Sequence, residues 1–247
     1  MSPQVRLMET GAWQFHKLDL WETVDRWFGI LWGMRIRKLN HSCVLVETDG
    51  VRLLADPGNL SIAEQQEMTD IDIVLYTHEH GDHLHLESLQ QIVSNNPQAT
   101  VVCNSGVGSH LEGIGIPYHV LEGESETVVA GVSLRARDSK HAEIFEDFGQ
   151  VQHTGYLVAG RLFLAGDSYE VPEFPVEILA PAIVAPFCAV RDTVHLVQAL
   201  QPAVAVSMHD GQLNEAGLSL WHGLIERLLA DDSTTFVPLP AGAQWEG

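Results

Sequence analysis

The sequence has 247 residues, with 33 Asp and Glu side chains against 13 Lys and Arg side chains, which gives a formal net charge of -20. This length and a hydrophobic content of 45% predict a folded protein of one domain, or at most two small ones, and exclude disorder as its main state. The acidity opposes a nucleic-acid partner, because such binding depends on Lys and Arg side chains that displace counterions from phosphates.

The cysteine pattern and the hydropathy indicate a compartment. Cys43, Cys103 and Cys188 are odd in number and far apart in the chain, which is typical of reduced thiols in a cytoplasmic protein. The N-terminus lacks the pattern of a secretory signal, and no apolar run reaches the roughly 20 residues that a membrane-spanning helix needs. We therefore expect a cytoplasmic protein without a transmembrane segment.

The N-terminus differs from the rest of the chain. Residues 12–34 carry four of the six Trp residues, and their apolar side chains follow helical spacing. We therefore predict a Trp-rich helical extension over residues 1–33, followed by one domain over residues 34–247. Its apolar face could pack on that domain, form the interface of a homo-oligomer, or dock at a membrane surface.

Beyond Met34 the pattern changes to that of strands and helices. A hairpin is predicted around Asp49-Gly50 and a second around Ala159-Gly160. The predicted strands cover residues 42–48, 51–55, 71–77, 100–104, 118–121, 132–137, 154–158, 161–165, 183–186, 203–207 and 235–239. The predicted helices cover residues 84–95, a short glycine-rich stretch before residue 118, and residues 193–200 and 218–230. Strand hairpins with peripheral helices indicate a layered α/β or α+β fold.

A cluster of metal-binding side chains directly follows the strand predicted at residues 71–77. Its sequence is His78-Glu79-His80-Gly81-Asp82-His83, so four potential ligands fall within six residues. His78 and His80 are two apart in extended backbone and can point to the same side, whereas Asp82 and His83 begin a helix and face elsewhere. Imidazole nitrogens with carboxylate oxygens favour zinc, or iron or manganese, over magnesium or calcium.

One turn cannot complete two coordination spheres, so further ligands must come from other strand ends. Four side chains of suitable type lie just past predicted strands: Asp56, His141, Asp167 and His209. Together with His78, they place His or Asp after five separate strands. This placement predicts one shared catalytic edge on a rigid scaffold.

With these residues in view, the chain from Met34 to Leu239 resembles the metallo-β-lactamase superfamily. The motifs that carry the resemblance are Leu54-Ala55-Asp56-Pro57, the motif from Thr77 to His83, Lys140-His141, Gly166-Asp167-Ser168 and Met208-His209. Asn40-His41-Ser42-Cys43 is similar to the start of the ascorbate-6-phosphate lactonase-like branch, although Asn40 stands where that branch usually has Gly. The resemblance implies a four-layer αββα sandwich of two similar halves, with two metal ions at one edge.

The same resemblance implies a role for each ligand residue. It implies that one ion is bound by His78, His80 and His141, that the other is bound by Asp82, His83 and His209, that Asp167 bridges them, and that Asp56 orients a ligand imidazole. The expected cofactors are two divalent ions, zinc first, with manganese or iron as alternatives. The resemblance gives no substrate.

These assignments lead to a hypothesis of mechanism. Two ions about 3.5–4 Å apart share a hydroxide that cleaves a small ester, lactone, amide or phosphoester, and Asp82 orients it and moves a proton. His153, Lys140 and Arg191 are the expected substrate contacts, and residues 141–153 form either a mobile lid or an ordinary surface loop. The alternative is a non-catalytic metal-binding or regulatory protein on the same fold; a nuclease conflicts with the charge.

Overall fold

The computed structural model describes residues 33–247, which form fourteen strands and five helices. The predicted Trp-rich extension, and with it the predicted subunit interface, lies outside these residues apart from its last position. Within residues 33–247, no helix has both the length and the apolar content that crossing a membrane requires.

The strands make two mixed sheets of seven strands each. The first six strands are β1 (Arg35–Asn40), β2 (Cys43–Thr48), β3 (Val51–Ala55), β4 (Ile73–Tyr76), β5 (Thr100–Cys103) and β6 (His119–Val120). The others are β7 (Glu126–Val129), β8 (Val132–Lys140), β9 (Gln152–Val158), β10 (Leu162–Leu164), β11 (Ile178–Ala180), β12 (Val204–Val206), β13 (Thr235–Val237) and β14 (Gln244–Glu246).

The strand order repeats from one sheet to the other. The first sheet runs β14-β1-β2-β3-β4-β5-β6 and the second runs β13-β12-β11-β10-β9-β8-β7. In the first, β1, β2 and β3 pair antiparallel and β3 to β6 pair parallel; in the second, β7 to β10 pair antiparallel and β10 to β13 pair parallel. Each half therefore has the same pattern of an antiparallel part followed by a parallel part.

The helices cover the outer faces of the sheets. They are α1 (Ile62–Gln65), α2 (Leu86–Asn95), α3 (Ser105–Glu112), α4 (Val190–Leu200) and α5 (Glu215–Leu228). Along β4, Ile73 and Leu75 join the core between the sheets, while Val74 and Tyr76 pack in the cluster that includes α2 and α3. A third cluster packs α4 and α5 on the second sheet. Alternate side chains of a buried strand point to opposite faces of its sheet, so each sheet packs against the other sheet on one face and against helices on the other. The result is four layers. The predicted αββα sandwich is confirmed.

Both predicted hairpins are present, and their turns have the backbone that two-residue loops require. Asp49 and Gly50 have φ values of 52° and 76°, and Ala159 and Gly160 have φ values of 53° and 66°. Positive φ at both central positions matches the right-handed twist of the flanking strands.

One predicted strand is wrong, and four are missing from the prediction. Residues 183–186 form no strand: the strand in this region is β11, which ends before Pro181, and beyond it Ile183 donates a backbone hydrogen bond to the carbonyl of Met208. The uniformly apolar run 178–190 carries no alternation that could set the register. The strands β1, β7, β11 and β14 were not predicted.

A buried ion pair links β1 to the loop after β12. Lys38 is fully buried on β1, where its ammonium group pairs with the carboxylate of Asp210 and donates to the carbonyl of Ser207 at 3.1 Å. The second carboxylate oxygen of Asp210 lies 3.1 Å from Nε2 of His222 on α5. Burial lowers the pKa of Lys38, and Asp210 partly offsets this effect. The pair holds three separate segments together.

We expect Lys38→Met to lower the free energy of unfolding by about 3 kcal/mol, because it leaves the carboxylate of Asp210 buried without its ammonium partner. Arg37 is the next residue toward the N-terminus on the same strand and is exposed, so Arg37→Met is the matched control and should change stability by less than about 0.5 kcal/mol. Chemical denaturation of both variants measures the difference. Equal losses would contradict a stabilising role for the pair.

Candidate metal centre

The strand directions bring six chain segments to one edge of the sandwich. β1, β3 and β4 run the same way in the first sheet, and β8, β10 and β12 run the same way in the second. The residues that follow these strands are His41, Asp56, His78, His141, Asp167 and His209. The shared edge predicted from five strand ends is therefore present, with β1 as a sixth.

The seven predicted ligands come together at this edge in overlapping groups. The ligand atoms of each group lie within 4.8 Å of one another, and the groups are His78, His80, His141 and Asp167; His83, Asp167 and His209; and His41, Asp82 and His209. Asp167 belongs to the first two groups. Its Oδ2 lies 3.6 Å, 3.5 Å and 3.3 Å from the Nε2 atoms of His78, His141 and His209, and its Oδ1 lies 3.3 Å from Nε2 of His83.

Each of four predicted ligand imidazoles is held at Nδ1 by an oxygen of the protein. His209 contacts the carbonyl of Val184 at 2.6 Å, and His141 contacts the carbonyl of Ala142 at 2.7 Å. His83 contacts Oδ2 of Asp56 at 2.9 Å, and His78 contacts Oγ1 of Thr77 at 3.0 Å. A carbonyl or carboxylate can only accept, and the hydroxyl of Thr77 already donates its proton to Asp56. These contacts therefore place the proton on Nδ1 and turn Nε2 to the site.

The atoms that face the site have no hydrogen-bond partner of their own. The Nε2 atoms of His78, His83, His141 and His209 and Oδ1 of Asp167 are buried and form no hydrogen bond within residues 33–247. Unpaired polar atoms are costly inside a protein. Two donors about 2.1 Å from one tetrahedral ion are about 3.4 Å apart, which matches the contacts around Asp167. Nitrogen and carboxylate donors with this spacing fit divalent metal ions.

The pKa values of the metal-free site indicate that the buried carboxylate of Asp167 needs positive charge beside it. Burial would raise the pKa of Asp167, but His83 and His209 outweigh it and hold that pKa well below its usual range. Burial would lower the pKa of His83, but the carboxylates of Asp167 and Asp56 hold it well above its usual range. Without an ion, protons on these imidazoles balance the buried carboxylate.

Asp56 contacts the predicted ligand His83 and the neighbouring Thr77 through its carboxylate. Its Oδ1 accepts from the backbone N–H of Thr77 and its Oδ2 accepts from Oγ1 of Thr77, both at 2.8 Å, in addition to the contact with His83. Asp56 has a φ of 46°, in the left-handed region, which non-glycine residues rarely adopt. The carboxylate thus lies where the predicted role, orienting a ligand imidazole, requires it.

The three predicted substrate contacts have different surroundings. His153 is buried: Nε2 accepts from the backbone N–H of Asp167 at 3.0 Å, and Nδ1 lies 2.9 Å from Oγ of Ser139. Both ring nitrogens are thus engaged within the protein, and burial lowers the pKa of His153 to about 3. The Lys140 side chain is exposed next to His141, and Arg191 is exposed beside Asp192.

Three residues at the site were not among the predicted site residues. His41 lies 3.2 Å from Oδ2 of Asp82, and Ser42 donates to the backbone carbonyl of Asp82 at 2.7 Å. Asp210, which directly follows the predicted ligand His209, pairs with Lys38. The position of His41 just before a predicted strand was the available signal, but its partners lie far away in the sequence.

The chain matches a family model, and the match decides the family. The model is described as a β-lactamase superfamily domain and covers residues 35–209. The chain belongs to the metallo-β-lactamase superfamily. Within this superfamily, the match spans every predicted metal ligand from His78 to His209.

The chain is also similar to individual proteins along most of its length. Protein Rv0786c of Mycobacterium tuberculosis is 29% identical over 212 residues, covering 84% of this chain and 97% of that protein. A metal-dependent hydrolase of Methanopyrus kandleri is 29% identical over 202 residues, covering 72% of this chain and 84% of its own. The structure of Igni18, a metallo hydrolase of Ignicoccus hospitalis, aligns with a TM-score of 0.67 at 17% identity, covering 87% and 99% of the two chains.

These comparisons support the general part of the prediction from sequence, that the protein is a metal-dependent hydrolase of the metallo-β-lactamase superfamily. The similarity to the ascorbate-6-phosphate lactonase-like branch, the cytoplasmic location and the choice of zinc stay predictions. So do the residue roles, although the structure places all seven ligands together.

We expect the zinc affinity to rise with pH up to at least about pH 9. Burial would lower the pKa of His209, but Asp167 raises it to about 9, so the metal-free ring is protonated at neutral pH. A metal must displace that proton, which costs affinity until the pH passes the raised pKa. Competition with a chromophoric chelator measures the dissociation constant.

The first control is His209→Ala, which removes one of the two imidazoles with a raised pKa and should reduce the pH dependence between about pH 7 and 9, while His83 keeps the rest of it. A second control, His110→Ala, alters an imidazole outside the ligand groups and should leave the curve unchanged. An affinity of the unaltered protein that is constant over this range would contradict the prediction.

Proposed function

We propose that the protein is a hydrolase that uses two divalent metal ions to cleave a small neutral ester, lactone or amide. The observation that carries the proposal is the set of buried, unpaired Nε2 atoms that converge on both carboxylate oxygens of Asp167. Two ligand groups share this carboxylate, and their residues would hold the pair of ions. Zinc is the first choice, with manganese or iron as alternatives.

Bound ions of this kind lower the pKa of a water ligand toward about 7 and so supply a nucleophile at neutral pH. The protein's own residues do the rest. The oxygens that hold Nδ1 of His78, His83, His141 and His209 fix each imidazole in one orientation, so the site needs little rearrangement during the reaction.

Asp82 is the carboxylate best placed to move a proton. Its side chain is 25% exposed, whereas those of Asp167 and Asp56 are 2% and 6% exposed. Burial would raise the pKa of Asp82, but the neighbouring imidazoles of His209 and His41 hold it well below its usual range. An ionised carboxylate that solvent reaches can orient the attacking water and accept its proton.

The charge around the site supports a neutral substrate. Recognition of a phosphate group usually involves a bidentate Arg. In the described part of the chain, Arg191 is 77% exposed and lies 3.3 Å from Asp192, and the ammonium of Lys38 is buried against Asp210. Lys140 remains as an exposed cation beside His141. A neutral ester, lactone or amide can bind without such cationic side chains.

An apolar rim supports a substrate with an apolar group. The loop after His141 is anchored where the N–H of Ala142 donates to the carbonyl of Asp167, and it returns past His80 at Gly149. Between these points it turns back on itself, with Phe145 and Phe148 at 68% and 70% exposure. Both aromatic rings thus belong to a turn whose two ends lie at the metal site.

We expect Asp82→Asn to lower kcat/KM for a neutral ester by about 10²- to 10⁴-fold, because the amide keeps the shape but cannot accept a proton. Hydrolysis of a p-nitrophenyl ester by zinc- or manganese-loaded protein measures it, with His110→Ala as the control outside the ligand groups. Full activity in Asp82→Asn would contradict the scheme.

The number of ions and the presence of turnover separate the proposal from its rival. Metal analysis should find two ions per chain, and a chelator should abolish hydrolysis until metal is returned. Two bound ions without turnover of esters, lactones, amides or phosphodiesters would favour the non-catalytic metal-binding alternative. Chelator-sensitive nuclease activity at physiological salt would overturn the exclusion based on charge.

We expect Phe145→Ala and Phe148→Ala each to raise KM for an ester with a butyl or hexyl chain by about tenfold, with kcat changed less than about twofold. The reason is the loss of apolar contact with the substrate away from the reacting atoms. Val128→Ala on β7 removes an equally exposed side chain and is the matched control.

The same assays can contradict the neutral-substrate proposal. A KM increase for bis(p-nitrophenyl) phosphate in Lys140→Ala or Arg191→Ala, with ester KM unchanged in both Phe variants, would indicate a phosphoester substrate instead.

A further inference from the structure

His41 lies at the metal site but was not predicted to act there. It occupies the turn between β1 and β2, is 1% exposed and has a φ of 50°. Its ring centroid is 3.9 Å from that of His209. Its ring is close enough to Asp82 and His209 for the three to form a possible ligand group. Distance alone therefore does not separate a ligand from a supporting residue.

The hydrogen bonds of His41 decide between these roles. The backbone N–H of Gly211 points at Nδ1 with a nitrogen–nitrogen distance of 3.1 Å. A backbone N–H can only donate, so Nδ1 must be the bare nitrogen of the ring. A neutral imidazole carries one proton, which must then be on Nε2, 3.2 Å from Oδ2 of Asp82. A protonated Nε2 has no lone pair for a metal.

We propose that His41 is a positioning residue that donates its Nε2–H to Asp82 and is not a metal ligand. The assignment stands on the contact with Gly211; its consequence for turnover rests on the function proposed above. Four of the five predicted ligand rings, those of His78, His83, His141 and His209, have the opposite arrangement, with Nδ1 held by an oxygen and Nε2 unpaired within residues 33–247. In the proposed site, the ring of His41 carries its proton on Nε2 and positions Asp82, whereas the predicted ligand rings keep Nε2 free for a metal.

The surrounding backbone holds His41 against its partners. A side chain on Gly211 would bring a Cβ within 2.6 Å of Oδ1 of Asn40 and 2.9 Å of Cβ of His41, so glycine permits the close approach. The carbonyl of His41 accepts the N–H of His209 at 3.0 Å. Ser42 holds the backbone of Asp82. The turn therefore fixes Asp82 and His209 together.

Two substitutions of His41 test the contacts of its two ring nitrogens separately. The shorter amide of His41→Asn can still accept from Gly211 and tolerates positive φ, but it does not reach far enough to donate to Asp82. The longer amide of His41→Gln can place an N–H near Asp82 but gives up the contact with Gly211. We expect kcat to fall about 10- to 100-fold in His41→Asn with KM unchanged, and to recover to within about fivefold of the unaltered protein in His41→Gln.

A measurement on the metal-free protein tests the assignment without reference to activity. Long-range ¹⁵N–¹H spectra of protein labelled at histidine report which ring nitrogen carries the proton, and the signals lost in His41→Asn identify His41. We expect the Nε2–H tautomer before and after zinc is added, and an equal zinc content in His41→Asn and the unaltered protein. If the labelled protein proves inactive on every substrate, this result still stands or fails by itself.

Four outcomes would overturn the proposal. One is an Nδ1–H tautomer for His41, and a second is loss of the Nε2 proton when zinc binds. The third is a His41→Asn protein that holds one zinc ion fewer per chain than the unaltered protein, which would make His41 a ligand. Equal kcat in His41→Asn and the unaltered protein would remove the positioning role.

Discussion

The carboxylate of Asp167 is buried at the meeting point of the two sheets, and the rest of the site is arranged around its charge. A buried carboxylate needs positive charge close to it, and four imidazoles bring their Nε2 atoms within 3.6 Å of its oxygens. His153 holds the backbone N–H of the same residue from the interior side. The strand end that presents Asp167 therefore sets where all the other groups must lie.

The repeated topology explains how so many segments reach this carboxylate. An antiparallel part followed by a parallel part sends β1, β3 and β4 of the first sheet toward one edge, and β8, β10 and β12 of the second toward the same edge. Each strand contributes one or a few side chains, and the packed core between the sheets keeps their spacing. Rigid placement on strand ends suits a site whose ligands must keep their distances within tenths of an ångström.

The parts of this molecule that local patterns encode could be predicted from the sequence. The motif from His78 to His83, the hairpin at Asp49-Gly50 and the ligands after strands depend on neighbours in the chain, so spacing and turn chemistry identify them. Uniformly apolar residues 178–190 gave the wrong strand because nothing in them sets the register. The short strands β7 and β14 carry too few residues for a clear alternation.

The contacts that the sequence could not provide join residues distant in the chain. His41 meets Gly211 across 170 positions, and Lys38 meets Ser207 across 169. His41 and Lys38 look like an ordinary turn residue and an ordinary surface charge until β1 is placed beside the loop after β12. Their functions depend on tertiary structure alone, which no spacing rule within one segment can express.

The pairing of β1 with β14 has a consequence for how the protein is made. Met34 and Gly247 exchange two backbone hydrogen bonds, and β1 lies between β2 and β14, so one side of β1 lacks its partner strand until β14 has been synthesised. An unpaired strand edge is a template for association with other chains. The first sheet is therefore completed only after some 200 further residues have followed β1, and during that interval this edge of β1 is open to pairing with other chains.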